Sequence, residues 1–200
     1  MCFHSRLSKK AQALQNRFKA DYSNLEIILP ETYNAFQHPK TPVITNKDAD
    51  KIQLFNWGLI PHWAKDDSIK KMTLNARYES ITEKPAFRNA VNNRCLVLAD
   101  GFYEWQWLDE KGKNKQKYLI TLPDDEAFAF AGLWSTWLDK STGEIKNTYT
   151  ILTTAANELM SQIHNSKKRM PMILSAANES EWLSGQLPIL INDSLVATQL

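Results

Sequence analysis

Arg94-Cys95-Leu96-Val97-Leu98-Ala99-Asp100-Gly101-Phe102-Tyr103-Glu104-Trp105 is the stretch that decides the fold. Its first half is a short, unbroken apolar run, too short for a helix to be read into it and rich enough in apolar residues to be a buried strand. Asp100-Gly101 then supplies turn chemistry, and an aromatic segment over 102–108 reads as a second strand. Working outward, 109–114 (Asp-Glu-Lys-Gly-Lys-Asn) is a hairpin loop leading into a strand at 118–122. Residues 128–138 and 144–154 form a second hairpin across Ser141-Thr142-Gly143. Upstream, 52–59 alternates as a strand, and 33–42 reads as a loop punctuated by Asn34, Pro39 and Pro42. Helices are few and short. Ser8 is placed to cap one in which Ala11, Leu14 and Phe18 share a face, and 75–83 reads as a short helix or irregular turn stopped by Pro85. Residues 156–163 form another helix, 172–174 a strand and 175–183 a last, capped helix. The sum is an α+β chain, one domain over 1–200, built on a curved, barrel-like, mostly antiparallel sheet with a few short flanking helices.

Composition narrows the function classes. Hydrophobic residues make up 43% of the 200 and charged residues 23%, the balance of a soluble globular chain. No apolar run approaches the length of a membrane span and the N-terminus lacks a signal-peptide core, so a cytoplasmic product is expected. Cys2 and Cys95 lie too far apart for a Cys-x-x-Cys site, and His4, His38, His62 and His164 show no ligand spacing, so neither a metal nor another cofactor is expected. Cys95, inside the apolar run, reads as a core thiol. A net charge of +2 means that nucleic-acid binding must come from a local patch.

The residue with the most chemistry is Cys2. With Met1 removed, one residue offers an α-amine, with a pKa near ~8 against ~10.4 for lysine, beside a thiol of about 8.5. Such a pair can take an aldehyde as an imine and close it to a five-membered thiazolidine, the ring closure being intramolecular. Glu104 lies in an aromatic strand. It is either surface-facing or held in an apolar pocket with a raised pKa, and the second case makes a general acid–base. A lone histidine such as His164 is more often structural or solvated, although it titrates in the useful range. Asn75 and Arg77 have hydrogen bonds to offer a sugar or phosphate, Trp63 is either a core tryptophan or a stacking platform, and Lys167-Lys168-Arg169 is a solvated charge run or a phosphate contact.

Taken together, these residues sit in strings with a resemblance. Met1-Cys2, Trp57-Gly58-Leu59-Ile60-Pro61-His62-Trp63, Asn75-Ala76-Arg77-Tyr78-Glu79, the 94–105 stretch, Ala131-Gly132-Leu133-Trp134, Thr150-Ile151-Leu152-Thr153-Thr154-Ala155-Ala156-Asn157 and Ile163-His164 followed by Arg169-Met170-Pro171-Met172-Ile173-Leu174 occur in that order. The chain so resembles the SRAP family of SOS-response-associated peptidases and abasic-site processing proteins. The resemblance implies self-removal of Met1 and covalent capture, through Cys2, of the ring-opened aldehyde of an abasic site in single-stranded DNA, within DNA repair and the SOS response, with lyase activity as a further possibility. It implies Cys2 as nucleophile, Asn75 as the group positioning the opened deoxyribose, Glu104 as acid–base catalyst and His164 as support for proton transfer and reversal. Arg77, Trp63, Arg169, Arg6 and Asn34 are implied as DNA contacts, and a monomer associated with the nucleoid when bound is expected.

Two departures stand out. The family start Met-Cys-Gly-Arg is here Met1-Cys2-Phe3-His4-Ser5-Arg6, so Arg6 or His4 replaces the usual arginine. The loop after His164 carries the extra residues Asn165-Ser166-Lys167-Lys168, which threaten to displace it. The chain also ends soon after Asp193, where relatives continue, so a truncated C-terminal end is expected. Two competing readings remain at this point: a peptidase acting on other proteins through Cys2, and a non-catalytic nucleic-acid-binding module.

Overall fold

The apolar run and the aromatic strand that follows it are not a hairpin. In the computed structural model, which describes residues 2–22, 32–186 and 194–200, strand β6 (Arg94–Ala99) and strand β7 (Gly101–Trp107) are separated by Asp100 alone yet belong to different sheets. The other strands are β1 (His4–Arg6), β2 (Thr32–Asn34), β3 (Lys40–Thr45), β4 (Gln53–Trp57), β5 (Asn75–Arg77), β8 (Lys115–Thr121), β9 (Phe128–Leu138), β10 (Ile145–Ala155), β11 (Arg169–Pro171), β12 (Ile173–Leu174) and β13 (Val196–Gln199). Three short helices accompany them: α1 (Ala11–Phe18), α2 (Glu158–Ile163) and α3 (Glu179–Ser184). Among the described residues no helix is long and apolar enough to cross a membrane.

The larger sheet closes on itself. Its path runs β10-β4-β3-β6-β9, and β9 pairs back with β10, giving a ring of five strands. Antiparallel neighbours alternate in direction, and an odd ring cannot alternate all the way round. One pair must run parallel, and it is β4 with β10, in register at Thr148↔Asn56 and Tyr149↔Trp57. Closure removes exposed edges and leaves an interior filled by side chains. The rim is completed by β5 alongside β10, β11 on the other edge of β10 and β12 on β9. The second sheet, in the order β13-β8-β7-β1-β2, is antiparallel throughout.

The core explains why tryptophan is so abundant. Trp57, Trp134, Trp137 and Trp182 are buried, and each indole N–H finds an acceptor: the Leu74 carbonyl at 2.8 Å, Asn46 Oδ1 at 3.1 Å, the Ala64 carbonyl at 2.7 Å and the Cys95 carbonyl at 3.1 Å. Burying these rings without such partners would offset much of their hydrophobic gain. Where β9 is squeezed between β6 and β10, only glycine fits. A Cβ on Gly132 would lie 2.8 Å from Cys95 Sγ and 3.0 Å from both the Thr150 carbonyl and Val97. Gly132→Ala should therefore destabilise the barrel by about 1–3 kcal/mol, read as a lower urea midpoint at unchanged m-value.

Several local expectations need correction. Ser8 does not cap α1: Lys10 is the N-cap residue, without a side-chain bond, and Ser8 instead serves Asp100. Residues 33–42 are largely ordered pairing, ending β2 and opening β3 around a single 3₁₀ turn over Ala35–Gln37. Pro42 is tolerated in β3 because pairing with β6 begins only at Val43. Residues 75–83 begin as strand β5, not as a helix, because Asn75–Arg77 docks in parallel against Ile151–Thr153 of β10. Ser175 gives no cap to α3, which is entered through a 3₁₀ turn at Ala176–Asn178.

Candidate functional site

The N-terminal arm is threaded into the middle of the second sheet. His4, Ser5 and Arg6 pair with Tyr103, Phe102 and Gly101 on one side and with Asn34, Tyr33 and Thr32 on the other. A strand this short is held by its anchor. Asp100, fully buried at the junction between sheets, accepts from Arg6 Nε at 2.6 Å, from the Ser8 amide at 2.5 Å and hydroxyl at 2.8 Å, and from the Lys9 amide at 3.1 Å, while its own amide donates to the Arg6 carbonyl at 2.9 Å. The register fixed there carries down to Cys2, which is completely buried. Met1, whose removal is expected from the sequence, lies outside the described residues.

Asn75 meets Cys2 from the barrel side. Its Nδ2 donates to the Cys2 carbonyl at 2.9 Å, and its Oδ1 is buried with no hydrogen-bond partner among the described residues. An unsatisfied buried acceptor costs free energy and is a natural place for a ligand hydroxyl. The Asn-Ala-Arg order follows from the strand period: Ala76 faces the core, while Asn75 and Arg77 point the other way.

Glu104 lies with Phe102 on the inward face of β7 and is 4% exposed. Of the two placements open from sequence, the pocket is the one observed. Burial pushes its carboxyl up from the ordinary 4.5 to about 7, so both protonation states are populated at neutral pH. Burial also drives the Cys2 thiol well above its usual range, and the charge of Glu104 adds to that rise. The thiol is therefore protonated at rest, consistent with Cys2 Sγ lying 3.8 Å from the His4 carbonyl it donates to.

His164 ends α2 and is buried. Its Nδ1 lies 2.8 Å from the Arg169 carbonyl and 3.2 Å from the Arg169 amide nitrogen, so the ring is held through Nδ1 by the Arg169 backbone. Burial pushes the imidazole down from 6.5 to about 4, with the Lys167 ammonium acting in the same direction, so it is neutral at pH 7. The extra loop residues fasten it: Asn165 accepts from the Trp107 amide at 3.1 Å and donates to the Trp107 carbonyl at 2.9 Å, tying the loop to β7 three residues beyond Glu104.

The residues read as DNA contacts are distributed unevenly. Arg77 is exposed on β5 beside Thr153. Arg169, on β11 at the other edge of β10, forks onto Glu79. Trp63 is 48% exposed, but its loop is anchored further back on the barrel, through the Ile60 amide on Thr148 of β10 and the Trp137 indole of β9 on the Ala64 carbonyl. Asn34 caps the 3₁₀ turn by accepting from the Phe36 amide at 3.0 Å. Arg6 is not brought to the site; Asp100 and Asp125 both pair with it, so its charge is already matched. His4, the other candidate to replace the family arginine, packs edge-on against Trp105 with ring centres 4.9 Å apart, and burial lowers its pKa. Two residues escaped the sequence reading: Asp100, signalled only as half of a turn dipeptide, and Glu79, inside a quoted string but without an assigned role.

The profile of the SOS response associated peptidase (SRAP) family matches residues 1–194. The chain is 42% identical over 168 residues to the abasic site processing protein YoqW of Bacillus subtilis, covering 80% of this chain and 72% of that one. It is 33% identical over 185 residues to the abasic site processing protein HMCES of Gallus gallus, covering 76% of this chain and 53% of the relative. The crystal structure of a protein from Bacteroides thetaiotaomicron superposes with a TM-score of 0.90 at 38% identity, over 100% of this chain and 92% of that one. A family match across nearly the whole chain, together with these relatives, makes this chain a member of the SRAP family.

Proposed function

We propose that this protein processes abasic sites in single-stranded DNA by covalent capture through Cys2 once Met1 has been removed. The observation that carries the reading is the meeting of three groups from three elements: Cys2 ahead of β1, Asn75 of β5 holding its carbonyl, and Glu104 of β7 with its carboxyl near 7. In the proposed sequence the α-amine attacks the sugar aldehyde and water leaves, giving an imine. The thiol then adds across the C=N bond, its proton ending on nitrogen, and closes the thiazolidine. A thiol that rests protonated fits this order: the amine reacts first, and Glu104 takes the sulfur's proton only as the ring closes. Asn75 Oδ1 is placed to accept from a hydroxyl of the opened sugar. His164, neutral, relays protons from the far side, and Arg77, Arg169 and Trp63 hold the strand.

Intact mass spectrometry tests this. The purified protein should lack methionine and, after incubation with an oligonucleotide carrying one abasic site, gain the oligonucleotide's mass less one water in a heat-stable adduct. Retention of Met1 without adduct would overturn the proposal, and turnover of peptides in trans without adduct would favour the peptidase reading.

A further inference from the structure

Arg169 already grips an anion. Its Nη1 and Nη2 donate to Glu79 Oε1 and Oε2 at 2.8 and 2.9 Å, the bidentate geometry that a guanidinium also forms with phosphate. The two partners are held unequally. Arg169 Nη2 donates as well to the Thr153 carbonyl at 2.6 Å and Thr153 Oγ1 at 3.3 Å, and the arginine side chain is 13% exposed. Glu79 is 49% exposed, so the carboxylate is the member free to swing away at little cost. Arg77 stands two residues before it, exposed, and its charge also falls on Glu79. One half-exposed carboxylate thus lies between two guanidiniums at the rim of the site, and the backbone of Arg169 is what holds His164.

We propose that Glu79 occupies, in the free protein, the place a strand phosphate takes on Arg169, and that it is a specificity-determining residue: binding exchanges one anion for another, which keeps affinity for undamaged strands low. This rests on the reading of Arg169 as a strand contact.

The test uses the full chain with Cys2→Ala, so that no covalent capture intervenes, and an undamaged oligothymidine followed by fluorescence anisotropy at several salt concentrations. Adding Glu79→Gln should tighten binding about 3- to 10-fold at low salt, because the phosphate then reaches Arg169 without displacing a carboxylate, while the salt dependence, set by the number of phosphate contacts, stays the same. In an Arg169→Ala background Glu79→Gln should change nothing. Unchanged or weaker binding with Glu79→Gln would make Glu79 a bracket that merely holds Arg169. Tightening that survives Arg169→Ala would make it a general charge effect, and absence of oligothymidine binding by every variant would overturn the proposal outright. Failure of covalent capture is read separately, as a missing adduct between the unsubstituted protein and abasic DNA.

Discussion

Cys2→Ser should still be caught on abasic DNA by borohydride, yet lose its adduct within the time the unsubstituted protein keeps it. The α-amine of that variant forms the imine as before, and reductant traps it. Without reductant the imine hydrolyses, because the hydroxyl is a poorer nucleophile for closing the ring. Intramolecular closure carries an advantage of many orders of magnitude in effective concentration, so the half-life of the unreduced adduct should fall at least about 100-fold. The mass of the Cys2→Ser protein must first show that methionine is gone, since the thiol is itself a candidate for that cleavage. An equally long-lived adduct without reductant would remove sulfur from the mechanism. Loss of the borohydride-trapped species as well, with the amine exposed, would remove the imine.

The environment of Cys2 makes this experiment informative. A thiolate-based peptidase needs a cysteine whose pKa is lowered by a nearby cation or helix terminus. Here burial and the neighbouring Glu104 act the other way. A thiol that stays protonated until an electrophile is already bound to the adjacent nitrogen is suited to ring closure and poorly suited to opening a peptide bond unaided.

The barrel strands were legible because they are long and period-dependent. β9 and β10 each cover 11 residues, and the notable sequence signal, an apolar run broken by Asp100-Gly101, marks the passage between sheets. What stayed hidden is short and held by tertiary contacts. His4–Arg6 is polar and three residues long, and nothing local makes it a strand; Asp100 and the flanking strands do. Asn75–Arg77 has the same history, since its conformation is set by docking on β10. At the site, Glu104 was visible as a carboxylate among aromatics, but the direction it faces depends on β7 turning its Phe102–Glu104 side inward. Glu79 and Arg169 lie ninety residues apart and are joined only by the barrel, a relation no spacing rule conveys.

Glu104→Gln should be both the more stable and the less active protein at pH 8. The folded carboxyl titrates near 7 against an ordinary 4.5, so the folded state holds its proton more tightly than the unfolded chain. The favourable contribution of the protonated form is complete below about 4.5 and is lost as pH rises toward and through about 7. Above that, ionised Glu104 costs the fold about 3 kcal/mol, which the isosteric, uncharged glutamine avoids. His164 slopes the opposite way: its folded pKa, near 4, lies below 6.5, so its contribution is present above 6.5 and falls away as pH drops toward 4. Only the difference between the two proteins therefore isolates Glu104, and that difference should be near zero at pH 4.5 and grow to its full value by pH 8. Crosslinking should move against stability. With no carboxylate to receive the thiol proton, ring closure should slow by about 10²–10⁴. The unsubstituted protein should also gain rate as pH rises through 7, beyond the rise that the titrating amine gives both proteins equally. Full-rate crosslinking by Glu104→Gln would remove the carboxylate from the chemistry. Equal stability of the two proteins at pH 8 would mean that the buried group does not titrate near 7, and the acid–base role would lose its physical basis.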